Sequence, residues 1–241
     1  TIPYSPRVQQ AEVHALCRTH RFGAVVAHRR FGKSVLFSNH LVRSGATSPR
    51  EHFRGAFIGP TYTQTKSILW DHIRHYSSMI PGIKYNESEL RVDLPNGARV
   101  RLFGADNPDA LRGMYFDEVV FDEFDMQKMA VWSSVVRAAL ADRRGKAYFI
   151  GTYKEVDGPL GQIVDLARDN PDWVVRVYKA SETGILGQRD DPASELSQAR
   201  AVMADYEAHG VDIMIDLEHL SLDDEARNFD PDARGWCRLE V

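Results

Sequence analysis

The sequence predicts an α/β fold in which a mostly parallel sheet is covered by helices on both faces. Two observations lead to this class. Short, almost wholly apolar runs recur along the chain, and longer stretches with helical spacing lie between them. Strands that alternate with helices form βαβ units, and their strands are apolar throughout because both faces are covered. With 43% hydrophobic and 27% charged residues, the composition excludes collagenous and wholly disordered chains.

The predicted strands and helices follow one another in a regular order. Strands are predicted at Gly23–Ala27, Gly55–Gly59, Val119–Phe121, Ala147–Ile150 and Val174–Tyr178. Helices are predicted at Lys33–Arg43, Thr63–Met79 and Met129–Ala141. Leu90–Phe103 contains two alternating segments around Asn96-Gly97, and because Asn-Gly favours a tight turn this region predicts a hairpin.

A domain boundary is predicted near residue 190. The net charge of −4 conceals a contrast, because residues 1–189 contain 26 Lys and Arg against 20 Asp and Glu, whereas residues 190–241 contain 4 against 14. The turn-rich segment Gly184–Pro192 lies at this change of sign. We therefore predict two domains, a core at 1–189 and an acidic appendage at 190–241. In the appendage, Glu195–His209 has helical spacing and Asp212–Leu217 alternates, which predicts a small α+β unit.

The cysteine content and the hydropathy of the sequence exclude some classes of protein. The only cysteines, Cys17 and Cys237, exclude a disulfide framework and are typical of a reducing compartment. No apolar run reaches the ~20 residues of a membrane-spanning helix. The first ten residues also lack the apolar segment of a signal peptide. We expect a soluble intracellular protein that is not secreted and has no membrane partner.

A phosphate-binding loop is predicted between the first strand and the first helix. The segment reads Ala27-His28-Arg29-Arg30-Phe31-Gly32-Lys33-Ser34 and matches G-x-x-x-x-G-K-[ST], except that Ala27 replaces the first glycine. Gly32 allows backbone N–H groups to turn toward phosphate oxygens, Lys33 reaches the β and γ phosphates, and the Ser34 hydroxyl ligates Mg²⁺. Arg29 and Arg30 either face phosphate or are solvated. The flanking strand and helix favour a nucleotide site over an ordinary basic loop.

A second part of the predicted site lies at the end of another strand. Asp122-Glu123 follows the apolar run Val119–Phe121. At such a position Asp122 would hold Mg²⁺ through its waters, and Glu123 would orient or deprotonate the attacking water. Asp117-Glu118 is the poorer candidate, because the residues before it make a weaker strand.

Together these motifs resemble those of tailed-phage large terminase subunits, the ATPases that pump DNA into procapsids. The arginine-rich loop at 29–34 is similar to theirs, and that family tolerates Ala or Gly at position 27. Further blocks agree in order across residues 3–187, namely Pro6–His14, Gly59–Trp70, Gly104–Gly113 and Gly151-Thr152.

The resemblance implies a RecA-like P-loop NTPase core that hydrolyses ATP with Mg²⁺ to translocate double-stranded DNA. It implies that Gln10 reads the adenine base, that Arg30 joins Lys33 and Glu123 in catalysis, and that Gly151-Thr152 couples hydrolysis to movement. The implied partners are double-stranded DNA, the portal protein, the small terminase subunit and further copies of the chain in a ring. The implied location is the host cytoplasm, at the procapsid portal.

The acidic appendage has a resemblance of its own. Val211–His219 and Ala233–Trp236 are similar to the N-terminal part of Mu-type phage prohead proteases. Asp216, Glu218 and His219 either ligate a metal or form a structural cluster. The segments that carry nuclease activity in terminases and proteolysis in prohead proteases would lie beyond Val241. We therefore expect neither activity from this chain.

Two other function classes fit the same residues. A helicase-like P-loop ATPase that remodels nucleic acid would carry the same loop and carboxylates, whereas a non-catalytic interaction scaffold would have lost them. Both Lys33 and Glu123 are present, which favours an enzyme. Eight Lys and Arg lie between Ala15 and Arg54 against one acid, Glu51. This excess suits nucleotide, DNA, a neighbouring subunit or bulk solvent alike.

Overall fold

One eight-stranded sheet organises the chain in the computed structural model, which describes residues 4–154, 157–168 and 170–179. The strands are β1 (Phe22–Ala27), β2 (Arg54–Gly59), β3 (Lys84–Asn86), β4 (Arg91–Asp93), β5 (Arg99–Gly104), β6 (Glu118–Phe121), β7 (Lys146–Gly151) and β8 (Trp173–Tyr178). Their order is β3-β4-β5-β2-β6-β7-β1-β8. Neighbouring strands in the series β5, β2, β6, β7, β1 and β8 pair in parallel. Strands β3 and β4 add an antiparallel edge next to β5.

Six α-helices surround the sheet in the described residues, of which α1 precedes β1 and the others lie between strands. They are α1 (Val8–Thr19), α2 (Lys33–Thr47), α3 (Tyr62–Thr65), α4 (Asp71–Ser77), α5 (Arg137–Ala139) and α6 (Pro159–Ala167). π-helical turns at Lys66–Trp70 and Val131–Val136 precede α4 and α5. Short 3₁₀ turns lie at Pro108–Leu111 and Phe124–Met126. Among the described residues, no helix is both long and apolar enough to cross a membrane.

Alternate residues of each central strand face two separate hydrophobic clusters. In β1, Val25 packs into the cluster that includes Leu36 of α2 and Ile73 of α4. Its neighbour Ala24 packs into the opposite cluster, which includes Ile163 of α6. Successive side chains of a strand point to opposite faces, so a strand covered on both sides is apolar at every position. This confirms the predicted sheet with helices on both faces.

The predicted hairpin is confirmed, and its turn has the expected chemistry. The N–H of Leu94 donates to the carbonyl of Ala98 at 2.8 Å, and β4 pairs with β5 in antiparallel register. Gly97 has a φ of 80°, in the left-handed region that glycine adopts without a Cβ penalty. The tight turn therefore determines the register of the antiparallel edge.

Several helices and strands of the structure differ from those predicted from the sequence. The helix predicted at Lys33–Arg43 continues to Thr47, and a Cβ at Gly45 in its last turn would lie 3.4 Å from the Phe53 ring. Helix α1 was not predicted at all. Its buried side includes four polar residues that obscure the apolar period, namely Gln9, Gln10, Glu12 and His14. The structure also adds the edge strand β3 and helix α6, which the sequence pattern did not indicate.

The predicted boundary at Gly184–Pro192 and the predicted appendage at 190–241 lie outside the described residues. The helix predicted at Glu195–His209 and the strand predicted at Asp212–Leu217 lie there too. So do the two appendage motifs and the candidate ligands Asp216, Glu218 and His219. These remain predictions.

Candidate active site

The predicted phosphate loop connects β1 to α2 and is held in a curled conformation. Gly32 has a φ of 79° and caps α2, and its carbonyl accepts the N–H of Leu36 at 2.9 Å. Arg30 also lies in the left-handed region, with a φ of 72°. The buried ring of Phe31 stacks on Tyr178 of β8 with centroids 4.6 Å apart, which anchors the loop to the sheet. The first N–H groups of α2 lie at this loop, where a helix N-terminus attracts anions.

Lys33 lies within a shell of three oxygen acceptors. Its Nζ donates to the carbonyls of Ala27 at 2.8 Å and His28 at 3.1 Å, and to Thr152 Oγ1 at 3.1 Å. Burial lowers the pKa of Lys33, and the nearby charges of Glu123 and Asp122 oppose this shift. Ala27 is the last residue of β1 and contributes its carbonyl, with no positive φ. An alanine at this position therefore keeps the loop geometry.

Ser34 and Asp122 join the phosphate loop to the end of β6. The Ser34 hydroxyl donates to Asp122 Oδ2 at 2.9 Å, and Asp122 Oδ1 accepts the N–H of Glu123 at 3.1 Å. Burial raises the pKa of Asp122 to about 6, and the Ser34 hydrogen bond opposes that rise. The β6 strand end is itself fixed to β2, because the N–H of Asp122 donates to the carbonyl of Ile58 at 2.9 Å.

This hydroxyl and carboxylate fit Mg²⁺. Both are hard oxygen donors, and Mg²⁺ in nucleotide sites takes one or two protein ligands together with water and phosphate oxygens. Among the described residues, no group of three or more His, Cys, Asp or Glu side chains forms a dedicated metal cage. The donor set therefore suits a cation that arrives with a phosphate ligand.

Glu123 begins a sharp turn directly after the buried strand. Its φ is 48°, an uncommon backbone conformation for a residue with a side chain. The next residue, Phe124, is fully buried and packs edge-on against Phe149 of β7 at 4.8 Å. Glu123 itself is only partly buried. The turn thus leaves a carboxylate beside the phosphate loop and next to Asp122.

Gly151 and Thr152 end β7 and meet the same loop. Thr152 Oγ1 donates to the carbonyl of Ala27 at 2.8 Å, and it also accepts from Lys33. A Cβ at Gly151 would lie 3.6 Å from the Cα of Glu123, so β7 passes close to the carboxylate turn. The carboxyl ends of β1, β6 and β7 meet at one edge because these strands are parallel neighbours. Sequence reasoning had linked these segments only through the order of their motifs.

Gln10 lies against the phosphate loop from the side of α1. Its Nε2 donates to the carbonyl of Phe31 at 3.3 Å, and its Oε1 accepts the N–H of Arg7 at 3.1 Å. The Arg7 guanidinium donates to the same Phe31 carbonyl. A Cβ at Gly32 would lie 2.8 Å from Gln10 Nε2 and 2.9 Å from Arg7. Reading of the adenine base by Gln10 stays a prediction.

Three residues with contacts at the site escaped sequence reasoning. Arg7 precedes Gln10 by one helical turn, a spacing that could have indicated a shared target. Asp125 lies in an acidic stretch of the sequence and belongs to none of the motifs described above. Gln127 Nε2 donates to the carbonyls of Ile58 at 3.0 Å and Asp122 at 2.7 Å, and no sequence signal pointed to this role.

The remaining predicted residues fall in two groups. Arg29 and Arg30 are exposed and His28 is partly buried, so the phosphate and catalytic roles of these three residues stay predictions. Asp117-Glu118 lies at the opposite end of β6. There Asp117 is buried against Arg50 at 2.9 Å and Arg143 at 3.3 Å. This pair is remote from the phosphate loop, as its weaker strand context indicated.

Comparison with known proteins gives concordant matches. The family model described as terminase large subunit, T4-like-virus type, N-terminal, matches residues 25–157. The large terminase subunit of Thermus phage G20c is 29% identical over 170 residues, which cover 63% of this chain and 34% of that protein. The large terminase subunit of Thermus virus P23-45 matches to the same extent. This chain thus spans about a third of the length of these curated relatives.

Solved structures share the fold. The ATPase domain of the Thermus phage P74-26 large terminase superposes with a TM-score of 0.61 at 21% identity, covering 95% of this chain and 96% of that chain. The large terminase of a thermophilic bacteriophage, in complex with ADP, gives a TM-score of 0.52 at 12% identity. That match covers 61% of this chain and 39% of that chain.

Proposed function

This chain belongs to the N-terminal family of T4-like-virus-type large terminase subunits, and we propose that it is an ATPase motor of viral DNA packaging. In this proposal it hydrolyses ATP with Mg²⁺ and uses the energy to translocate double-stranded DNA into a procapsid. The single observation that carries the proposal is the 2.9 Å hydrogen bond from Ser34 to Asp122. It unites a Lys33-containing phosphate loop with a strand end that also carries Glu123.

The chain's own residues divide the work of hydrolysis. The N–H groups of the loop and the Lys33 ammonium hold the β and γ phosphates, and Ser34 and Asp122 hold the cation. Mg²⁺ supplies neutralisation of the phosphate charge when it is bound. Water attacks the γ phosphorus, the bond from that phosphorus to the β–γ bridging oxygen breaks, and the proton of the water goes to the Glu123 carboxylate.

Further roles belong to the same proposal. Gln10 reads the adenine base, Arg29 and Arg30 face the phosphates, and Thr152 senses the state of Lys33 through their 3.1 Å hydrogen bond. The proposed partners are double-stranded DNA, the portal protein, the small terminase subunit and further copies of the chain in a ring. The proposed place of action is the host cytoplasm, at the procapsid portal. The proposal includes neither nuclease nor protease activity.

Steady-state ATP hydrolysis tests the enzymatic part. We expect Lys33→Ala and Glu123→Gln each to lower turnover at least about 100-fold, the range that a phosphate-holding cation or a general base contributes. Lys84→Ala and Glu51→Gln serve as matched controls, because both residues are exposed and lie away from the loop. Turnover that persists unchanged in Lys33→Ala and Glu123→Gln would refute the assignment.

The DNA-packaging part needs a different measurement, because a helicase-like ATPase would pass the first test. We expect the chain to bind the portal protein of the same phage and double-stranded DNA to stimulate its ATPase activity. An ATPase that responds to single-stranded nucleic acid and ignores the portal would support the helicase-like alternative instead.

A further inference from the structure

Asp125 lies two residues after Glu123 and connects its turn to another part of the chain. The side chain leaves the 3₁₀ turn Phe124–Met126 and accepts two backbone N–H groups. Its Oδ2 accepts the N–H of Lys154 at 2.6 Å, and its Oδ1 accepts the N–H of Leu160 at 3.1 Å. Hydrogen bonds to a carboxylate are stronger than those between neutral groups. One side chain therefore joins two segments that are distant in sequence.

Both donors belong to the segment that follows β7 and Thr152. Leu160 lies in the first turn of α6, whose own N-cap residue, Gly158, has no side chain with which to cap the helix. A Cβ at Gly158 would lie 2.3 Å from Asp125 Oδ1. The glycine thus leaves the space into which the carboxylate reaches, and Asp125 caps α6 in place of a local residue.

The two joined segments are those that carry the proposed chemistry. On one side, the carbonyl of Glu123 accepts the N–H of Met126 at 2.8 Å, so the turn that carries Asp125 also fixes the Glu123 backbone. On the other side, Thr152 contacts Lys33 at 3.1 Å. Asp125 therefore joins the turn that carries Glu123 to the segment that follows Thr152.

We propose that Asp125 is a positioning residue for ATP hydrolysis. It holds Glu123 in position relative to the Thr152–Lys33 pair. This inference rests on the proposed function. Its hydrogen bonds to Lys154 and Leu160 lie outside the phosphate loop and the Ser34–Asp122 pair, so we expect Asp125 to set the rate of the hydrolytic step and to leave the affinity for nucleotide unchanged. A displacement of about 1 Å at a reacting group is enough to slow catalysis substantially.

The test uses Asp125→Asn in the full 241-residue chain. The amide has nearly the same shape, but its NH₂ group would face a backbone N–H at one of the two contacts. We expect kcat to fall at least tenfold, while the KM for ATP and the Kd for a fluorescent ADP analogue stay within twofold. Asp165→Asn is the matched control, because it removes an exposed carboxylate from α6 and we expect it to leave kcat unchanged.

A second variant approaches the same contact from the other segment. Gly158→Ala places a Cβ against Asp125 Oδ1, and we expect it to lower kcat with the same unchanged nucleotide affinity. If both changes act through one contact, the double variant has the kcat of the slower single variant. If Asp125→Asn fails to fold, Gly158→Ala decides alone.

The outcomes separate this inference from the function on which it rests. Turnover that does not depend on Lys33 would refute the proposed function itself. Turnover that depends on Lys33 but is unchanged in Asp125→Asn would overturn only the positioning role. Parallel losses of kcat and nucleotide affinity, or multiplied losses in the double variant, would also overturn it.

Discussion

The buried side chain of Glu118 makes the free energy of unfolding depend on pH, and a single substitution should remove this dependence. The residue is 4% exposed and lies at the end of β6 that is remote from the phosphate loop, with Oε1 3.3 Å from Nε2 of His40. Burial raises the pKa of Glu118 to about 8, and the Lys146 charge and the Ser44 hydroxyl oppose this rise. Burial also lowers the pKa of His40 well below its usual value. At neutral pH both side chains are therefore uncharged.

The raised pKa determines the sign of the effect. Between the ordinary value of 4.5 and about 8, the folded chain keeps a proton that the unfolded chain has lost, so the free energy of unfolding falls as pH rises. The buried histidines His14 and His40 act in the opposite direction, but only below their ordinary value of 6.5. The interval from 6.5 to 8 therefore isolates Glu118 from them.

We expect Glu118→Gln to remove about 1.5 kcal/mol of pH dependence between pH 6.5 and 8, from about 1.4 kcal/mol per unit of pKa difference. Urea unfolding, followed by the fluorescence of the buried Trp70, Trp132 and Trp173, measures the free energy of unfolding at each pH. As pH rises, the free energy of unfolding of the variant should increase relative to that of the unmodified chain. Glu51→Gln, at an exposed position, is the control. Parallel curves for Glu118→Gln and the unmodified chain would refute the reasoning.

Two further predictions concern buried contacts of the fold. Glu12→Gln should lower the free energy of unfolding, measured in urea, by about 3–5 kcal/mol. The Glu12 carboxylate accepts from Arg176 at 2.5 Å and from Tyr178 at 2.7 Å, and the substitution removes the negative charge that faces the buried guanidinium. A loss under about 1 kcal/mol would contradict this. Gly104→Ala should lower the melting temperature by about 4 °C or more, because its Cβ would lie 2.1 Å from the backbone N of Tyr62. Gly45→Ala, where the nearest atom lies at 3.4 Å, should change it much less, and equal shifts in the two variants would count against close packing at Gly104.

The candidate site was predictable from sequence to the extent that its chemistry is local. A phosphate is surrounded by groups that are close in sequence, namely a strand end, a glycine that allows the backbone to curl, a lysine and a hydroxyl. Residues 27–34 therefore predict the phosphate loop by themselves. The same holds for Asp122-Glu123 at the end of an apolar strand. The sequence linked the two motifs only by their order, and the parallel pairing of β1, β6 and β7 brings their carboxyl ends to one edge.

Contacts between distant segments were decided by the tertiary structure alone. Asp125 accepts N–H groups from Lys154 and Leu160, and Arg7 meets the carbonyl of Phe31, through backbone groups that every residue possesses. A sequence cannot indicate such partners, because the backbone donor carries no residue identity. Helix α1 was not predictable for a different reason: its buried side is partly polar, and Glu12 on that side pairs with Arg176 of β8. The sequence by itself determined the sheet, the hairpin and the phosphate loop, whereas the packing of the loops around that sheet determined which groups hold Glu123 and Lys33 in place.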